Sequence, residues 1–439
     1  MLESFTETRP SHTLARAASC PNPHSMHAPV DRFQCRFCGH ALTTSFVDLG
    51  MSPLCQTHVS PDQLHEMEPF YPLHAYLCDN CLLVQLQEFV SPQEIFGEYA
   101  YFSSFSSSWV EHARRYVEMM IGRFGLGAGS KVMEIASNDG YLLQHFVAAG
   151  VPVLGIEPAA NVGKAAIDKG VPTLTRFFGR ATADEIARTH GRPDVLLGNN
   201  VLAHVPDLND FVGGMKRLLA PSGVITMEFP HLQRLMAENQ FDTIYHEHFS
   251  YFSFLAVERI FAHHGLTLFD VEELPTHGGS LRIFGRHTEH AALAVTPRVE
   301  ALRKKEIDDG FLDPERYRGF GEQVQEAKRN LLSFLIDARR SGKKVVGYGA
   351  PGKGNTLLNY CGIRSDFVEF TVDANPYKQG KYTPGTRIPI RAPEAIREAR
   401  PDYVLILPWN LKDEISTAAA YIAEWGGRFV VPIPETRVL

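Results

Sequence analysis

Residues 132–140 read Val-Met-Glu-Ile-Ala-Ser-Asn-Asp-Gly, an apolar run that leads into a tight turn, and a helical pattern begins near Tyr141. A turn of this kind exposes backbone N–H groups and lets a ligand approach closely. The stretch therefore predicts a strand, a ligand-binding loop and a helix, the unit from which α/β folds with parallel sheets are built. The expected ligand is a dinucleotide or an adenosyl compound.

The details of the loop weaken the dinucleotide interpretation. Ala136 and Asn138 stand where an adenosylmethionine loop typically carries glycine, the GxGxxG pattern is missing, and no basic residue is placed for a pyrophosphate. Glu157 ends the next predicted strand, where a carboxylate can accept both hydroxyls of a ribose. It suits either nucleoside cofactor, and a solvated glutamate after an ordinary strand remains the simpler alternative.

Apolar strands alternate with amphipathic helices around this loop, which predicts a parallel sheet. The predicted strands are residues 131–136, 153–157, 194–198 and 223–229. Residues 266–274 and 280–284 flank a short connection that contains two glycines, so we expect an antiparallel hairpin that reverses one sheet edge.

The pattern divides the chain into five segments. A charged helical stretch carries an apolar stripe of Val324, Leu331, Leu335 and Ile336, and a second α/β pattern follows it with strands at 344–348, 368–372 and 403–407. The predicted segments are a disordered extension (1–34), a metal-stapled module (35–105), the domain that carries the 132–140 loop (106–295), a helical connector (296–340) and a C-terminal α/β domain (341–439).

Composition excludes several classes of protein. The length of 439 residues favours two or three domains. A net charge of −7 without a run of Lys or Arg makes nucleic acid an unexpected partner. No apolar window of about 18 residues and no secretory signal core are present, so we expect a cytoplasmic protein with no membrane partner. The sequence leaves the oligomeric state open and is compatible with a monomer.

Two Cys-x-x-Cys pairs, Cys35/Cys38 and Cys78/Cys81, predict a zinc site. Four thiolates leave no open position for water, which indicates a structural rather than a catalytic metal. Four reduced core cysteines would be the alternative, but that interpretation does not explain the paired spacing. Cys55 lies near the site without a partner at this spacing.

Residues 349–355, Gly-Ala-Pro-Gly-Lys-Gly-Asn, follow a predicted strand of the C-terminal domain. Their backbone N–H groups could meet a pyrophosphate, with Lys353 adding charge and Asn355 a polar contact. The spacing of a nucleotide-hydrolysing P-loop is absent. Trp409-Asn410 after the last predicted strand could hold a base or be a packed strand end.

Several motifs in order give a resemblance to a known family. Together with the four cysteines and residues 347–356, they are Glu-Ile-Ala-Ser-Asn-Asp-Gly-Tyr-Leu-Leu (134–143), Gly-Ile-Glu-Pro (155–158), Asn-Asn-Val-Leu-Ala-His-Val-Pro (199–206), Tyr-His-Glu-His-Phe (245–249) and His-Gly-Gly-Ser-Leu-Arg (277–282). From about residue 33 to the end, the chain resembles the S-adenosylmethionine-dependent C-methyltransferases of deoxysugar biosynthesis.

The resemblance implies a zinc-binding N-terminal domain, a class I methyltransferase domain and a C-terminal Rossmann-like domain that helps to hold a nucleotide sugar. It implies that Tyr101 reaches over the sugar, while His277 either closes over the substrate or only turns the chain. The cofactor residues implied are Glu134, Ser137, Asn138, Asp139, Gly140, Glu157 and Asn199.

Methylation of a sugar carbon requires a base that removes a proton beside a ketone and a group that stabilises the enolate oxygen. By resemblance, His248 is expected as the base, Glu247 as the residue that orients or charges it, and Tyr245 as a donor to sugar oxygens. His204, after a predicted strand, is expected to donate to the enolate. His246 and His248 are two residues apart, not the four that place metal ligands on one helical face, so catalytic zinc is not expected.

The resemblance therefore implies C-methylation of a nucleotide-activated keto deoxysugar, with a thymidine diphosphate sugar as the expected substrate. A zinc-containing nucleotide-sugar-binding protein without catalysis, a methyltransferase for a non-sugar acceptor and a dehydrogenase or epimerase with two Rossmann units are the alternatives. The intact 137–140 loop and the 245–248 motif argue against a loss of catalysis.

Overall fold

A computed structural model of the protein describes residues 33–96 and 102–439. The described strands form three sheets. Tyr101 and residues 1–32 lie outside the described part, and so do the sugar contact predicted for Tyr101 and most of the predicted extension.

The strands and helices follow one another along the chain as the alternating pattern predicts, and the α/β class is confirmed. The strands are β1 (Thr44–Ser52), β2 (Tyr71–Leu77), β3 (Val84–Leu86), β4 (Val132–Ile135), β5 (Val153–Ile156), β6 (Thr173–Leu174), β7 (Val195–Asn199), β8 (Val224–Pro230), β9 (Ser250–Tyr251), β10 (Leu266–Leu274), β11 (Ser280–His287), β12 (Val345–Tyr348), β13 (Thr371–Val372), β14 (Ile390–Arg391), β15 (Tyr403–Ile406), β16 (Arg428–Val431) and β17 (Arg437–Val438). The α-helices are α1 (Pro92–Phe96), α2 (Ser107–Phe124), α3 (Leu143–Ala148), α4 (Ala160–Asp168), α5 (Arg180–Thr189), α6 (Leu208–Leu218), α7 (Leu232–Ala237), α8 (Phe254–His263), α9 (Pro297–Asp308), α10 (Pro314–Arg318), α11 (Phe320–Arg340), α12 (Gly352–Cys361), α13 (Ala395–Ala399) and α14 (Lys412–Ala418).

The central sheet has the strand order β10-β11-β8-β7-β4-β5-β6. Strands β4 to β8 are parallel, and β11 runs antiparallel to both β8 and β10. The predicted hairpin with its reversed edge is therefore confirmed. All four residues of β4 are buried, as expected for a central parallel strand covered on both faces. The 136–140 loop lies at the carboxyl end of this strand, the edge at which ligands bind in open α/β sheets.

The N-terminal sheet is antiparallel and has the order β1-β2-β3-β9. Its last strand, β9, comes from the central part of the chain, where Ser250 pairs with Gln85 and Tyr251 with Val84. The segment that carries the Tyr-His-Glu-His motif thus runs directly into the sheet of the metal-binding module. The sequence did not predict this pairing, because a strand of two residues has no periodicity of its own.

The C-terminal sheet has the order β14-β13-β12-β15-β16-β17, with only β17 antiparallel. The connector helix α11 buries Val324, Leu331 and Leu335, while Ile336 is 36% exposed. Ile336 was predicted in the apolar stripe, but it follows Leu335 directly and so points about 100° away from it on the helix. None of the helices in the two described ranges has the length and apolarity needed to cross a membrane.

Candidate active site

Four cysteine sulfurs form one cluster. The Sγ atoms of Cys35, Cys38, Cys78 and Cys81 all lie within 4.8 Å of one another. Zinc bound by four thiolates places sulfur atoms about 3.8 Å apart, and two of the observed pairs are 3.5 Å apart. The Gln85 side-chain amide donates to the Cys35 sulfur at 3.1 Å, as outer donors to metal-bound thiolates do. These residues fit a closed structural zinc site.

Each Cys-x-x-Cys pair lies on a tight turn. The Gly39 N–H donates to the Cys35 carbonyl oxygen at 2.9 Å, and the Leu82 N–H donates to that of Cys78 at 2.8 Å. Gly39 and Leu82 both have positive φ angles, 73° and 64°. These turns bring the two sulfurs of each pair to the same side of the chain, which a tetrahedral site requires.

The loop after β4 is a sharp turn built from left-handed residues. Ala136, Asn138 and Gly140 have φ angles of 56°, 49° and 76°. A Cβ at Gly140 would lie 3.0 Å from the Val171 side chain, so any other residue at this position would be strained in conformation and crowded against Val171. Ala136 adopts the left-handed conformation that glycine usually supplies in such loops. The absence of glycine at that position therefore does not change the shape of the loop.

Glu157 is fixed at the carboxyl end of β5 by two backbone donors. The Asn138 N–H donates to its Oε2 atom and the Ala159 N–H to its Oε1 atom, each at 2.9 Å. Burial raises the pKa of Glu157 above its ordinary value, although both hydrogen bonds act in the opposite direction. The carboxylate keeps acceptor capacity on each oxygen beyond these two bonds. It therefore fits the two hydroxyls of a ribose.

Other polar groups around the loop have atoms without a hydrogen-bond partner among the described residues. They are both carboxyl oxygens of Glu134, Oδ1 of Asp139, Oγ of Ser137 and Nδ2 of Asn199. All four residues are buried. Burial raises the pKa of Glu134 well above its ordinary value, and Glu157 adds to the effect. Unpaired buried polar atoms are costly, and a ligand with an ammonium, a carboxylate and hydroxyl groups, such as adenosylmethionine, would satisfy them.

The remaining oxygen of Asp139 is held by a lysine. The Lys169 ammonium lies 2.8 Å from Asp139 Oδ2 and donates to Ser104 Oγ at 2.8 Å. The Ser103 N–H donates to Asn138 Oδ1 at 2.8 Å. The segment just after residue 101 therefore lies against the cofactor loop, which the sequence did not predict because the contacts use backbone and small polar groups.

The Tyr-His-Glu-His motif is held between the metal-binding module and the central sheet. The Phe249 N–H donates to the Ala203 carbonyl oxygen at 2.7 Å, and the Leu86 N–H donates to the Phe249 carbonyl oxygen at 3.0 Å. The His246 ring bonds the Pro72 carbonyl oxygen at 3.2 Å. His246 therefore serves the packing of this segment.

His248 has a defined tautomer. Its Nδ1 atom lies 2.8 Å from the Thr243 carbonyl oxygen. Because a carbonyl oxygen only accepts, Nδ1 carries the hydrogen and Nε2 the lone pair. The ring lies 4.0 Å from the Tyr245 ring and 4.7 Å from the His204 ring, measured between centroids. Burial, followed by the neighbouring His204, lowers the pKa of His248 well below its ordinary value, so the ring is neutral near pH 7 and its Nε2 atom carries a lone pair.

Glu247 and His204 have partners that the sequence did not predict. The Glu247 carboxyl group contacts Cys55 Sγ at 3.6 Å, and it is the Thr243 carbonyl that orients His248. The His204 Nδ1 atom donates to the Glu247 backbone oxygen at 2.7 Å, and burial lowers the pKa of His204 to about 4. A neutral ring has only one N–H. His204 in this state therefore has no second hydrogen to donate to an enolate.

His277 also has a defined tautomer. Its Nε2 atom lies 3.0 Å from the amide nitrogen of Asn200, which donates, so the hydrogen of the neutral ring is on Nδ1. Burial lowers the pKa of His277 to about 4. Its φ of 55° is a strained conformation for a histidine, as found at functional sites. Asn200 has no predicted role in the sequence, although it lies next to Asn199 in the quoted motif.

Lys353 and Asn355 lie on the first turn of α12, and the side chain of each has a hydrogen-bond partner in the protein. The Lys353 ammonium donates to Asn410 Oδ1 at 2.7 Å and lies 4.6 Å from the centre of the Trp409 ring. Its charge reaches both His248 and His277 and helps to lower their pKa values. Asn355 donates to the Cys55 carbonyl oxygen at 2.7 Å. Asn355 thus contacts the metal-binding module, while the Lys353 ammonium is held by two residues of its own domain.

Trp409 is a packed residue that joins two domains. Its indole N–H donates to Asp242 Oδ2 at 2.8 Å, and both residues are buried. Burial raises the pKa of Asp242 to about 6. Of the two interpretations offered by the sequence, the packed strand end agrees with these contacts.

Comparison with known proteins gives matches over most of the chain. Family models describe residues 35–96 as a zinc binding domain, 109–271 as a methyltransferase domain and 275–434 as a C-methyltransferase C-terminal domain. The C-methyltransferase NovU of Streptomyces niveus is 38% identical over 411 residues, which cover 94% of this chain and 97% of that protein. A ubiquinone biosynthesis O-methyltransferase of Rhodopseudomonas palustris is 30% identical over 101 residues, 23% of this chain and 40% of that protein. The crystal structure of a magnesium protoporphyrin IX methyltransferase from Synechocystis with bound adenosylmethionine superposes with a TM-score of 0.32 at 14% identity, covering 44% of this chain and 88% of that chain.

Proposed function

The chain belongs to the family of S-adenosylmethionine-dependent C-methyltransferases, and on that premise we propose that it methylates a carbon atom of a nucleotide-activated keto deoxysugar, in particular a thymidine diphosphate sugar. The observation that carries the proposal is the fixed tautomer of His248, whose lone pair is on Nε2 while Nδ1 is bound to Thr243. A methyl transfer to oxygen can use an existing lone pair of the acceptor. A transfer to carbon needs a base that first removes a proton, and a neutral buried imidazole is suited to that task.

Adenosylmethionine, when bound, supplies the electrophilic methyl group. Glu157 would hold its ribose, and the loop residues Ser137, Asn138, Asp139 and Gly140, with Glu134 and Asn199, would hold its remaining polar groups. The unsatisfied atoms of Glu134, Ser137, Asp139 and Asn199 support this assignment.

In the proposed reaction, His248 Nε2 removes the proton from the carbon beside the ketone, and the electron pair of that C–H bond forms the enolate. The Tyr245 hydroxyl and the His277 Nδ1–H donate to the sugar oxygens and to the enolate oxygen. The removed proton stays on His248 Nε2. The methyl group that adenosylmethionine would supply would pass to the enolate carbon, with the electron pair of the S–CH3 bond left on the sulfur of S-adenosylhomocysteine. His204 keeps the 245–248 segment in place through the Glu247 carbonyl oxygen, and Glu247 is a positioning residue next to the base.

The C-terminal domain favours a substrate in which the sugar is attached to a negatively charged nucleotide. Lys353 brings a buried cation towards His248 and His277, where it would meet a sugar nucleotide rather than a neutral sugar. Asn355 supports the position of the same helix turn through its bond to Cys55. Four thiols that must stay reduced to bind zinc favour a cytoplasmic location.

Mass spectrometry can test the proposal. The protein is incubated with adenosylmethionine and a panel of keto sugar nucleotides, and we expect one thymidine diphosphate keto sugar to gain the mass of one methyl group in exchange for hydrogen. Transfer only to a non-sugar acceptor, tested in parallel with keto acids and peptides, would contradict the proposed substrate class.

A further inference from the structure

Cys55 lies in the metal-binding module but outside its cysteine cluster. Its Sγ atom is 3.6 Å from Glu247 Oε1, although 192 positions separate the two residues in the sequence. Both side chains are buried, with 3% of Cys55 and 5% of Glu247 exposed. A buried thiol beside a buried carboxyl group acts as a weak hydrogen-bond donor to it.

The backbone of the same segment is attached to the C-terminal domain. The Cys55 carbonyl oxygen accepts from Asn355 Nδ2 at 2.7 Å. Val59 exchanges two backbone hydrogen bonds with Tyr382, at 2.9 and 2.8 Å. A Cβ at Gly352 would lie only 2.9 Å from Cys55 Sγ, so the first turn of α12 packs directly on the thiol and fixes its position.

We propose that Cys55 is a positioning residue for methyl transfer, which orients the Glu247 carboxyl group through its thiol and binds the C-terminal domain through its carbonyl oxygen. The metal-binding module therefore contributes to the catalytic segment as well as to the stability of the fold. The inference rests on the proposed function where it concerns turnover, because Glu247 adjoins the base His248.

The groups around Glu247 determine how removal of the Cys55 thiol changes the pKa of its carboxyl group. Burial raises the pKa of Glu247 to about 7, and the hydrogen bond from Cys55 acts against this increase. Three other titratable groups lie near this pair. His204 binds the Glu247 backbone oxygen, the charge of Lys378 acts to lower the pKa of the Cys55 thiol, and the thiol acts to raise the pKa of Tyr251. Removal of the thiol donor should therefore raise the pKa of Glu247 further.

The variants Cys55→Ala and Cys55→Ser separate donation from packing, because serine keeps a donor at the same position. We expect the alanine variant to lower kcat by about threefold to tenfold, the effect of one ordinary hydrogen bond, with the affinity for adenosylmethionine and the zinc content unchanged. The Cys55→Ser variant should recover most of the kcat lost in Cys55→Ala. Cys361→Ala, a buried thiol at the end of α12, is the matched control and should behave as the unmodified protein.

Infrared titration of the protonated Glu247 carboxyl band, identified by its loss in Glu247→Gln, needs no turnover. The midpoint should move to higher pH in Cys55→Ala and return in Cys55→Ser. Identical midpoints in all three proteins would overturn the inference. A shifted midpoint in a protein that methylates no keto sugar would instead contradict the proposed function and leave the Cys55–Glu247 contact established.

Discussion

The carbonyl oxygen of Thr243 accepts a hydrogen bond from His248 Nδ1 at 2.8 Å. A backbone carbonyl cannot take up the proton, so this bond fixes the ring tautomer and leaves the Nε2 lone pair for the proposed proton removal. Thr243 ends a short helical turn that also contains Asp242, the acceptor of the Trp409 indole N–H. The orientation of His248 is therefore connected to the C-terminal domain through two consecutive residues, Asp242 and Thr243.

Replacement of His248 by alanine should abolish proton removal. We expect turnover to fall by about a hundredfold or more, the usual effect of losing a general base, while adenosylmethionine still binds. Glu247→Gln should reduce turnover less, because Glu247 only positions the segment. Deuterium exchange at the substrate carbon, measured together with methylation in both variants, is the test. An inactive His248→Ala protein that still exchanges the proton would assign the base to Tyr245 or His204 instead.

Glu157→Ala should weaken adenosylmethionine binding. A carboxylate that accepts two ribose hydroxyls contributes charge-assisted hydrogen bonds, and the loss should cost about 1.5–3 kcal/mol of binding free energy. Isothermal titration calorimetry measures the change. Glu118→Ala, at a 62% exposed side chain on α2, is the control, and equal affinities of the two variants would mean that the ribose lies elsewhere.

The four-cysteine cluster should bind one zinc ion per chain. Metal analysis of protein purified without chelator gives the stoichiometry, and the double variant Cys35→Ser/Cys78→Ser should lose both the metal and much of the thermal stability, since binding to such a site is coupled to folding. Cys361→Ser, outside the cluster, should retain zinc. Full retention in the double variant would contradict the assignment.

Low pH should destabilise the fold through buried histidines. Burial lowers the pKa of His204 and of His277 from 6.5 to about 4. Between these values the unfolded chain binds protons that the folded protein does not, so stability should fall as the pH decreases from about 6.5 towards 4. The slope of Tm against pH in this range should be smaller in His204→Gln than in the unmodified protein. Acid-induced zinc loss affects both proteins equally, so it cancels when the two slopes are compared. Equal slopes in His204→Gln and the unmodified protein would mean that His204 has an ordinary pKa in the folded state.

Local signals account for the parts of the structure that the sequence predicted. The apolar run before Ser137, the Gly-containing connection before Ser280 and the two Cys-x-x-Cys pairs each specify geometry within a few residues. The contacts that the sequence missed join distant segments. The β9 strand pairs with β3 across more than a hundred residues, and the thiol of Cys55 meets Glu247 across 192 positions of the sequence.

The roles of individual histidines were also beyond the sequence. His204, His248 and His277 have the same side chain, and the donor or acceptor state of each ring depends on whether its partner is a carbonyl oxygen or an amide nitrogen. Such partners come from backbone geometry, which residue types do not reveal. For this reason the sequence could name the histidines but not the tautomer of each ring.

Trp409→Phe should test the connection between the C-terminal domain and the base. Phenylalanine keeps most of the ring but removes the N–H that binds Asp242, a fully buried carboxyl group whose Oδ1 atom has no partner among the described residues. An unsatisfied buried acceptor costs about 1–3 kcal/mol, so the free energy of unfolding should decrease by that amount, as measured by urea denaturation.

The same variant should also affect the reaction. The pKa of Asp242, already raised to about 6 by burial, should rise further, and turnover should fall because the adjacent Thr243 carbonyl loses its fixed position. Trp425→Phe, which removes an indole bond to the Pro401 carbonyl oxygen within the C-terminal domain, should lower stability without this loss of turnover. If both variants retained full turnover, the orientation of His248 would be independent of the C-terminal domain.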